Sequence, residues 1–183
     1  TTLPEKEWKN GLVELIKHAI IRDAKFFEYI EENTHLINQK NPHTLNKIII
    51  QSCNIKARII EKDEKETNLR MLLNYGHTIG HALESLYEYR VPHGFCIAQG
   101  IIAINQIAVR KKLMEEKDAL RIEALFQKIG INTRILQKID TKKLIAALKH
   151  DKKFRGKKMN FVIVPKIGTA KITQNISLKD ILL

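Results

Sequence analysis

The sequence predicts a mainly α fold: a multi-helical domain with a small β-hairpin near the C-terminus. Three observations point there. Apolar residues recur at three- and four-residue spacing along most of the 183 residues. Proline and glycine, which punctuate helices, number only four and eight. The spacing changes to a β-like run only near the end of the chain, around residues 160–173.

Pro4 with the acidic Glu5 and Glu7 opens a helix that runs through Glu14, Leu15 and Lys17 to about Ile21. Proline loses no hydrogen bond in a first turn, and carboxylates there face the positive end of the helix dipole. Asp23 caps a second, short helix carrying Phe26, Phe27 and Ile30. Asn41-Pro42 is a turn, after which Leu45, Ile48, Ile49, Ile55 and Ile59 trace a helical stripe to about Lys62. The mixed-charge run from Glu61 to Glu66 reads as a solvated connection. Asn68 to Tyr89 forms one further helix with Gly76 and Gly80 inside it. Each glycine costs about 1 kcal/mol relative to alanine, so a closely approaching helix or a substrate has to compensate.

Val91-Pro92-His93-Gly94 breaks the pattern, and an apolar helix follows from about Phe95 to Lys112. Amphipathic segments continue over 115–128 and 141–150. The runs Asn160 to Pro165 and Thr169 to Thr173, joined by Lys166-Ile167-Gly168, form the hairpin. Ser177 to Leu182 is a final capped helical turn. With no internal repeat and no Pro/Ser-rich linker, residues 1–183 read as a single domain.

Composition narrows the function classes. With 44% hydrophobic and 28% charged residues the chain is ordinary globular protein, neither collagenous nor disordered. No stretch approaches the ~18 apolar residues of a membrane span; Phe95 to Val109 is interrupted by Gln99, Asn105 and Gln106. A net charge of +12 favours anionic partners: nucleic acid, an acidic membrane surface, or a phosphorylated or carboxylated substrate. Cys53 and Cys96 make no disulfide framework, which points to a reducing compartment. The segment TTLPEKEWKN has neither an initiator Met nor an apolar signal core, so residue 1 reads as an internal cut in a longer, cytoplasmic protein.

His77 and His81 stand four apart and project from one helical face. Imidazoles so placed bind a divalent metal together, or one binds while the other moves protons. His93 follows beside Gly94 at the entrance of the next helix, and two or three histidines with one carboxylate make a catalytic metal site with a free position. Spacing does not choose the carboxylate. A zinc-protease motif is excluded, because Thr78 stands where its glutamate belongs.

The full stretch Leu69-Arg70-Met-Leu-Leu-Asn74-Tyr-Gly76-His77-Thr78-Ile79-Gly80-His81-Ala82-Leu83-Glu84 resembles the signature of the 3-dehydroquinate synthase family, sugar-phosphate cyclases of the shikimate pathway and aromatic amino acid biosynthesis. Three further segments agree in order: Gly11 to Lys17, Lys56-Ala57 followed by Asp63 to Glu66, and His150 to Lys153 followed by Phe161 to Gly168. The resemblance implies that Glu14, His77 and His93 are ligands of a catalytic Zn2+ or Co2+. It makes His81, Lys17 and Arg70 catalytic, with His81 an acid/base beside the substrate instead of a ligand. Lys56, Arg70, Asn74, Lys152, Lys153 and Glu66 become the substrate-binding set. Arg suits bidentate recognition of a carboxylate or phosphate, and Lys supplies point charge.

The implied reaction is that of an NAD- and metal-dependent, phosphate-eliminating lyase. It converts 3-deoxy-D-arabino-heptulosonate 7-phosphate into 3-dehydroquinate and phosphate, with NAD regenerated in the cycle. The family has two halves, and this chain matches only the helical, metal-binding C-terminal one. No Gly-rich phosphate loop follows a strand, so NAD would be bound mainly by an N-terminal domain absent from this sequence, and the chain alone would be inactive. The resemblance further implies a homodimer of the full-length protein, a sugar-acid phosphate substrate, and no nucleic-acid or membrane partner.

The pattern departs from the family at Phe95, where a glutamate usually follows the His-Gly pair, at Val13 and at Asn68. Cys96 reads as a small buried hydrophobe. The alternatives are another sugar-phosphate cyclase, an iron-dependent alcohol dehydrogenase-like enzyme, or a non-catalytic basic binding module suggested by Lys149 to Lys158.

Overall fold

The computed structural model describes residues 2–66, 68–134, 140–150 and 159–181. Two helices, α1 (Glu5–Arg22) and α6 (His93–Arg110), form its centre. Both are buried around most of their circumference: α1 through Leu12, Val13, Ile16, Ala19, Ile20 and Ile21, α6 through Ile97, Ala98, Ile101, Ile104, Ile107 and Ala108. Such all-round burial is what a central helix needs, and it explains the absence of a clean polar stripe on either.

Around them stand α2 (Ala24–Glu32), α3 (Thr34–Asn38), α4 (Pro42–Lys62), α5 (His77–Leu86), α7 (Glu116–Lys128) and α8 (Thr141–His150). The caps act as their residue types require. The Asp23 carboxylate accepts from the Phe26 N–H at 2.9 Å, and the Asn41 side chain from the Thr44 N–H at 3.1 Å, so α2 and α4 start where those residues stand. Strands β1 (Phe161–Lys166) and β2 (Thr169–Thr173) pair antiparallel, with Phe161 opposite Thr173 and Val162 opposite Ile172. Their turn docks on α1, the Gly168 N–H donating to the Ile20 carbonyl at 2.7 Å. Asp118, buried on α7, accepts the Ile167 N–H at 2.9 Å and pins the same turn from the other side. The short helix α9 (Leu178–Ile181) closes the described chain.

Mainly α with a C-terminal hairpin is therefore the architecture, but two expectations need correction and one short helix has no counterpart among them. Residues 68–89 are not one helix. Leu69–Asn74 is a 3-10 helix, Gly76 turns the chain at φ +78°, and α5 begins only at His77. The two glycines are thus not both helix-interior: Gly76 is the left-handed hinge that most residues would resist. The run 61–66 is not simply solvated either. Asp63 is buried and accepts the N–H groups of Asn68 and Arg70 at 2.8 and 2.9 Å, organising the entry to the 3-10 segment. Finally, α3 had no sequence signal of its own. Among the described residues no helix is long and apolar enough to cross a membrane.

Candidate metal centre

Three helices meet at one point. Glu14 lies midway along α1, while His77 and His93 are the first residues of α5 and α6. The meeting is forced by close backbone packing. A Cβ on Gly80 would lie 2.6 Å from Ile97 Cδ1 and 3.1 Å from the Cys96 carbonyl oxygen, so α5 rests directly on α6. The compensation that the glycines demand therefore comes from a neighbouring helix. The start of α6 is tied to α1 by the Gly94 N–H, which donates to Asn10 Oδ1 at 2.6 Å. Asn10 and Glu14 are four apart, so this bond sets His93 over the face of α1 that carries Glu14.

His77 Nε2 lies 3.6 Å and His93 Nε2 4.0 Å from Glu14 Oε1. One donor atom from each of the three residues falls within 4.8 Å of the others. The ring nitrogens on the far side are already committed. His77 Nδ1 is 3.1 Å from the Tyr75 carbonyl, and His93 Nδ1 is 3.0 Å from Glu84 Oε1. Carbonyl and carboxylate oxygens only accept, so both Nδ1 atoms carry hydrogen, which leaves Nε2 as the ring position that can offer a lone pair to a metal. Glu14 Oε1, buried, has no hydrogen-bond partner among the described residues. One carboxylate oxygen and two imidazole nitrogens gathered around one gap are a donor set that fits a divalent cation of the zinc type.

The electrostatics agree. Burial pushes the Glu14 carboxyl up, but Lys17 and His77 outweigh it and the group stays below its ordinary range. Lys17, almost wholly buried, donates to Glu14 Oε2 at 2.7 Å. Burial, then the Lys17 charge, pushes the His77 imidazole down to about 3, keeping it neutral and available as a ligand.

His81 lies one turn beyond His77 with its side chain 44% exposed, and its Nε2 is 3.9 Å from Glu84 Oε2. Among the described residues, no group of three donor atoms within 4.8 Å of one another holds both His77 and His81; His81 falls with Glu84 and His93 instead. The three rings cluster at centroid separations of 5.2 to 5.9 Å. Cys96 is fully buried, with its thiol pushed up to about 12 by burial and then by Glu84, and is no ligand of the cluster.

Of the expected substrate residues, Arg70 and Asn74 stand on the 3-10 segment. Arg70 Nη1 donates to the Glu64 carbonyl at 2.8 Å, and Asn74 Nδ2 to Glu66 Oε1 at 2.7 Å. Lys56 is exposed on α4. Lys152 and Lys153 lie outside the described residues. Two features of the region escaped sequence reasoning. Glu84, one turn past His81, supplies the carboxylate on His93 and was legible only as part of the long signature. His18, buried on α1, shares a 2.8 Å hydrogen bond with Ser52 of α4; burial, then Lys17, pushes its imidazole down to about 4.

A family model described as 3-dehydroquinate synthase C-terminal matches residues 11–154. The 3-dehydroquinate synthase of Acetivibrio thermocellus is 41% identical over 162 residues, covering 88% of this chain and 45% of that protein. That of Nostoc punctiforme is 41% identical over 178 residues, covering 96% and 49%. The chain thus spans about half the length of the curated relatives it matches. Among solved structures, the fold is that of ValA, a 2-epi-5-epi-valiolone synthase from Streptomyces hygroscopicus with NAD+ and Zn2+ bound. The TM-score is 0.87 at 20% identity, over 99% of this chain and 51% of that one. A 2-deoxy-scyllo-inosose synthase complexed with carbaglucose-6-phosphate, NAD+ and Co2+ gives a TM-score of 0.83 at 28% identity, over 99% and 52%.

Proposed function

The chain belongs to the 3-dehydroquinate synthase family as its C-terminal domain, and from that premise we propose that it supplies the metal- and substrate-binding half of a 3-dehydroquinate synthase. The reaction is conversion of 3-deoxy-D-arabino-heptulosonate 7-phosphate to 3-dehydroquinate and phosphate. The observation that carries this reading is the convergence of Glu14, His77 and His93, from three separate helices, on one gap.

Those three residues would hold Zn2+ or Co2+. A divalent ion so held supplies Lewis acidity, making a sugar hydroxyl on it easier to deprotonate. The remaining work falls to the chain's own groups. Lys17 keeps the Glu14 carboxylate ionised and fixed. Asp63 and the Glu64 carbonyl anchor Arg70, leaving further guanidinium donors for the substrate's carboxylate or phosphate. Glu66 orients the Asn74 amide. Lys56, with Lys152 and Lys153, adds positive charge for the same anionic groups. His81, with its exposed ring, gives and takes protons at the reacting sugar. NAD would be held mainly by the other half of such an enzyme, so this chain alone is inactive. The reading includes a cytoplasmic homodimer of the complete protein with no nucleic-acid partner.

Sequence relatives near 41% identity carry the 3-dehydroquinate synthase name, whereas the structural neighbours that carry other synthase names stand at 28% and 20%. This supports the choice within the cyclases. The test is phosphate release from heptulosonate phosphate with NAD and Zn2+. The chain alone should release none; fused behind the half of the Acetivibrio thermocellus enzyme that it does not cover, it should release phosphate and form 3-dehydroquinate. A fusion that folds, binds NAD and zinc, and leaves this substrate untouched would overturn the reading.

A further inference from the structure

We propose that Glu84 is the positioning residue of the metal centre, fixing the tautomer and the angle of His93 by accepting its Nδ1–H. This deepens the reading above and rests on it. Glu84 stands on α5, seven residues after His77 and three after His81, so all three project from related faces of one helix. His93 starts the next helix, and α5 and α6 are held in contact by Gly80. The result is a 3.0 Å contact between Glu84 Oε1 and His93 Nδ1, with the carboxylate side chain only 14% exposed. Glu84 Oε2 faces His81 Nε2 at 3.9 Å. One carboxylate thus touches the ring of a ligand with one oxygen and lies near the proposed acid/base with the other.

The consequence for His93 follows from its exposure. Its side chain is 42% exposed, whereas that of His77 is 12% exposed and also bonded to a main-chain carbonyl. Packing therefore settles His77, while His93 depends on its hydrogen bond. Without an acceptor at Nδ1, the neutral ring populates both tautomers, and in one of them Nε2 carries the hydrogen and offers no lone pair. The residue following His93-Gly94 is Phe95, which has no carboxylate to give. Glu84 makes the carboxylate–histidine arrangement that holds metal-bound imidazoles elsewhere, whose loss costs about 10- to 100-fold in metal affinity.

Glu84 also belongs to a second trio, with His81 and His93, whose donor atoms are close enough to bind an ion directly. Glu84 as a ligand leaves the bare Glu14 oxygen unexplained, whereas Glu84 as the acceptor at His93 Nδ1 leaves His93 Nε2, 4.0 Å from that oxygen, to face it.

The experiment measures zinc affinity of the chain by chelator competition in Glu84→Gln, Glu84→Ala and Glu14→Ala, together with the visible spectrum of Co2+-loaded protein and the 15N shifts of His93 without metal. A glutamine carbonyl can still accept the Nδ1–H, so affinity should fall in the order wild type, Gln, Ala. The Ala variant should lose about 10- to 100-fold. The Co2+ spectrum should change in Ala and largely survive in Gln, and the metal-free His93 should show Nδ1–H in wild type and mixed tautomers in Ala. Unchanged affinity and tautomer in both Glu84 variants overturns the proposal. A loss in Gln as deep as in Glu14→Ala makes Glu84 a ligand and overturns it equally. Wild-type binding in Glu14→Ala would instead defeat the three-residue centre itself.

Discussion

Gly100→Ala places a methyl group where α6 touches α5. The new Cβ would meet the Gly76 carbonyl oxygen and, at 2.7 Å, the Gly80 amide nitrogen. Both are backbone atoms, so no side chain can swing aside. Helix propensity alone favours alanine by about 1 kcal/mol. Overpacking against unyielding neighbours costs about 1–3 kcal/mol, and this contact belongs at the upper end. The net expectation is a loss of about 2 kcal/mol. Gly11→Ala is the matched control: it is exposed on α1, and nothing lies within 4 Å of its Cβ. Propensity should act there unopposed and stabilise by up to about 1 kcal/mol. Because His77 and His93 begin the two helices that Gly100→Ala would separate, zinc affinity should fall with stability in that variant and stay level in Gly11→Ala. Urea denaturation in the presence of chelator, followed by zinc competition, reads both. A Gly100→Ala chain as stable as wild type, or stabilised as Gly11→Ala is, would refute the close-packing argument.

His18 gives a pH dependence. Unfolded, its imidazole takes a proton near 6.5; folded, near 4. Between those values the unfolded state binds more protons, so stability is lost as pH falls from about 6.5 to 4, by about 3 kcal/mol for this group. Denaturation of metal-free chain across that window should show the loss, and His18→Gln should reduce its slope. Asp63→Ala strands the N–H groups of Asn68 and Arg70; unfolding should show a loss of about 1–3 kcal/mol. Because Arg70 is anchored there, the fused enzyme should also show a raised KM for heptulosonate phosphate with Asp63→Ala.

The long helices are legible because their starts carry Pro4, Asp23 and Asn41-Pro42 and their apolar residues keep helical spacing. The hairpin is legible because β1 is a continuous apolar run ending at a Gly turn. The break inside 68–89 is not legible from periodicity. Leu69, Leu72, Leu73, Ile79 and Leu83 fit one helical stripe, and only the backbone angle of Gly76 shows that the chain turns there. α3 is a single five-residue segment, too short for a periodic pattern. At the site, the clustered histidines announce themselves by spacing, and the resemblance of the Gly11 to Lys17 segment to the family marks Glu14. Pairings across sequence distance do not: His18 and Ser52 stand 34 residues apart, and no local pattern links them. Glu84 hides for another reason, since a glutamate on a partly exposed helix is ordinary until the neighbouring helix brings His93 against it.

The most direct measurement is elemental analysis of the chain after zinc loading and gel filtration, repeated for Glu14→Ala, His77→Ala and His93→Ala. The wild-type chain should hold near-stoichiometric zinc and each of the three variants little, all still folded by circular dichroism. Wild-type zinc content persisting in all three would contradict the three-residue centre.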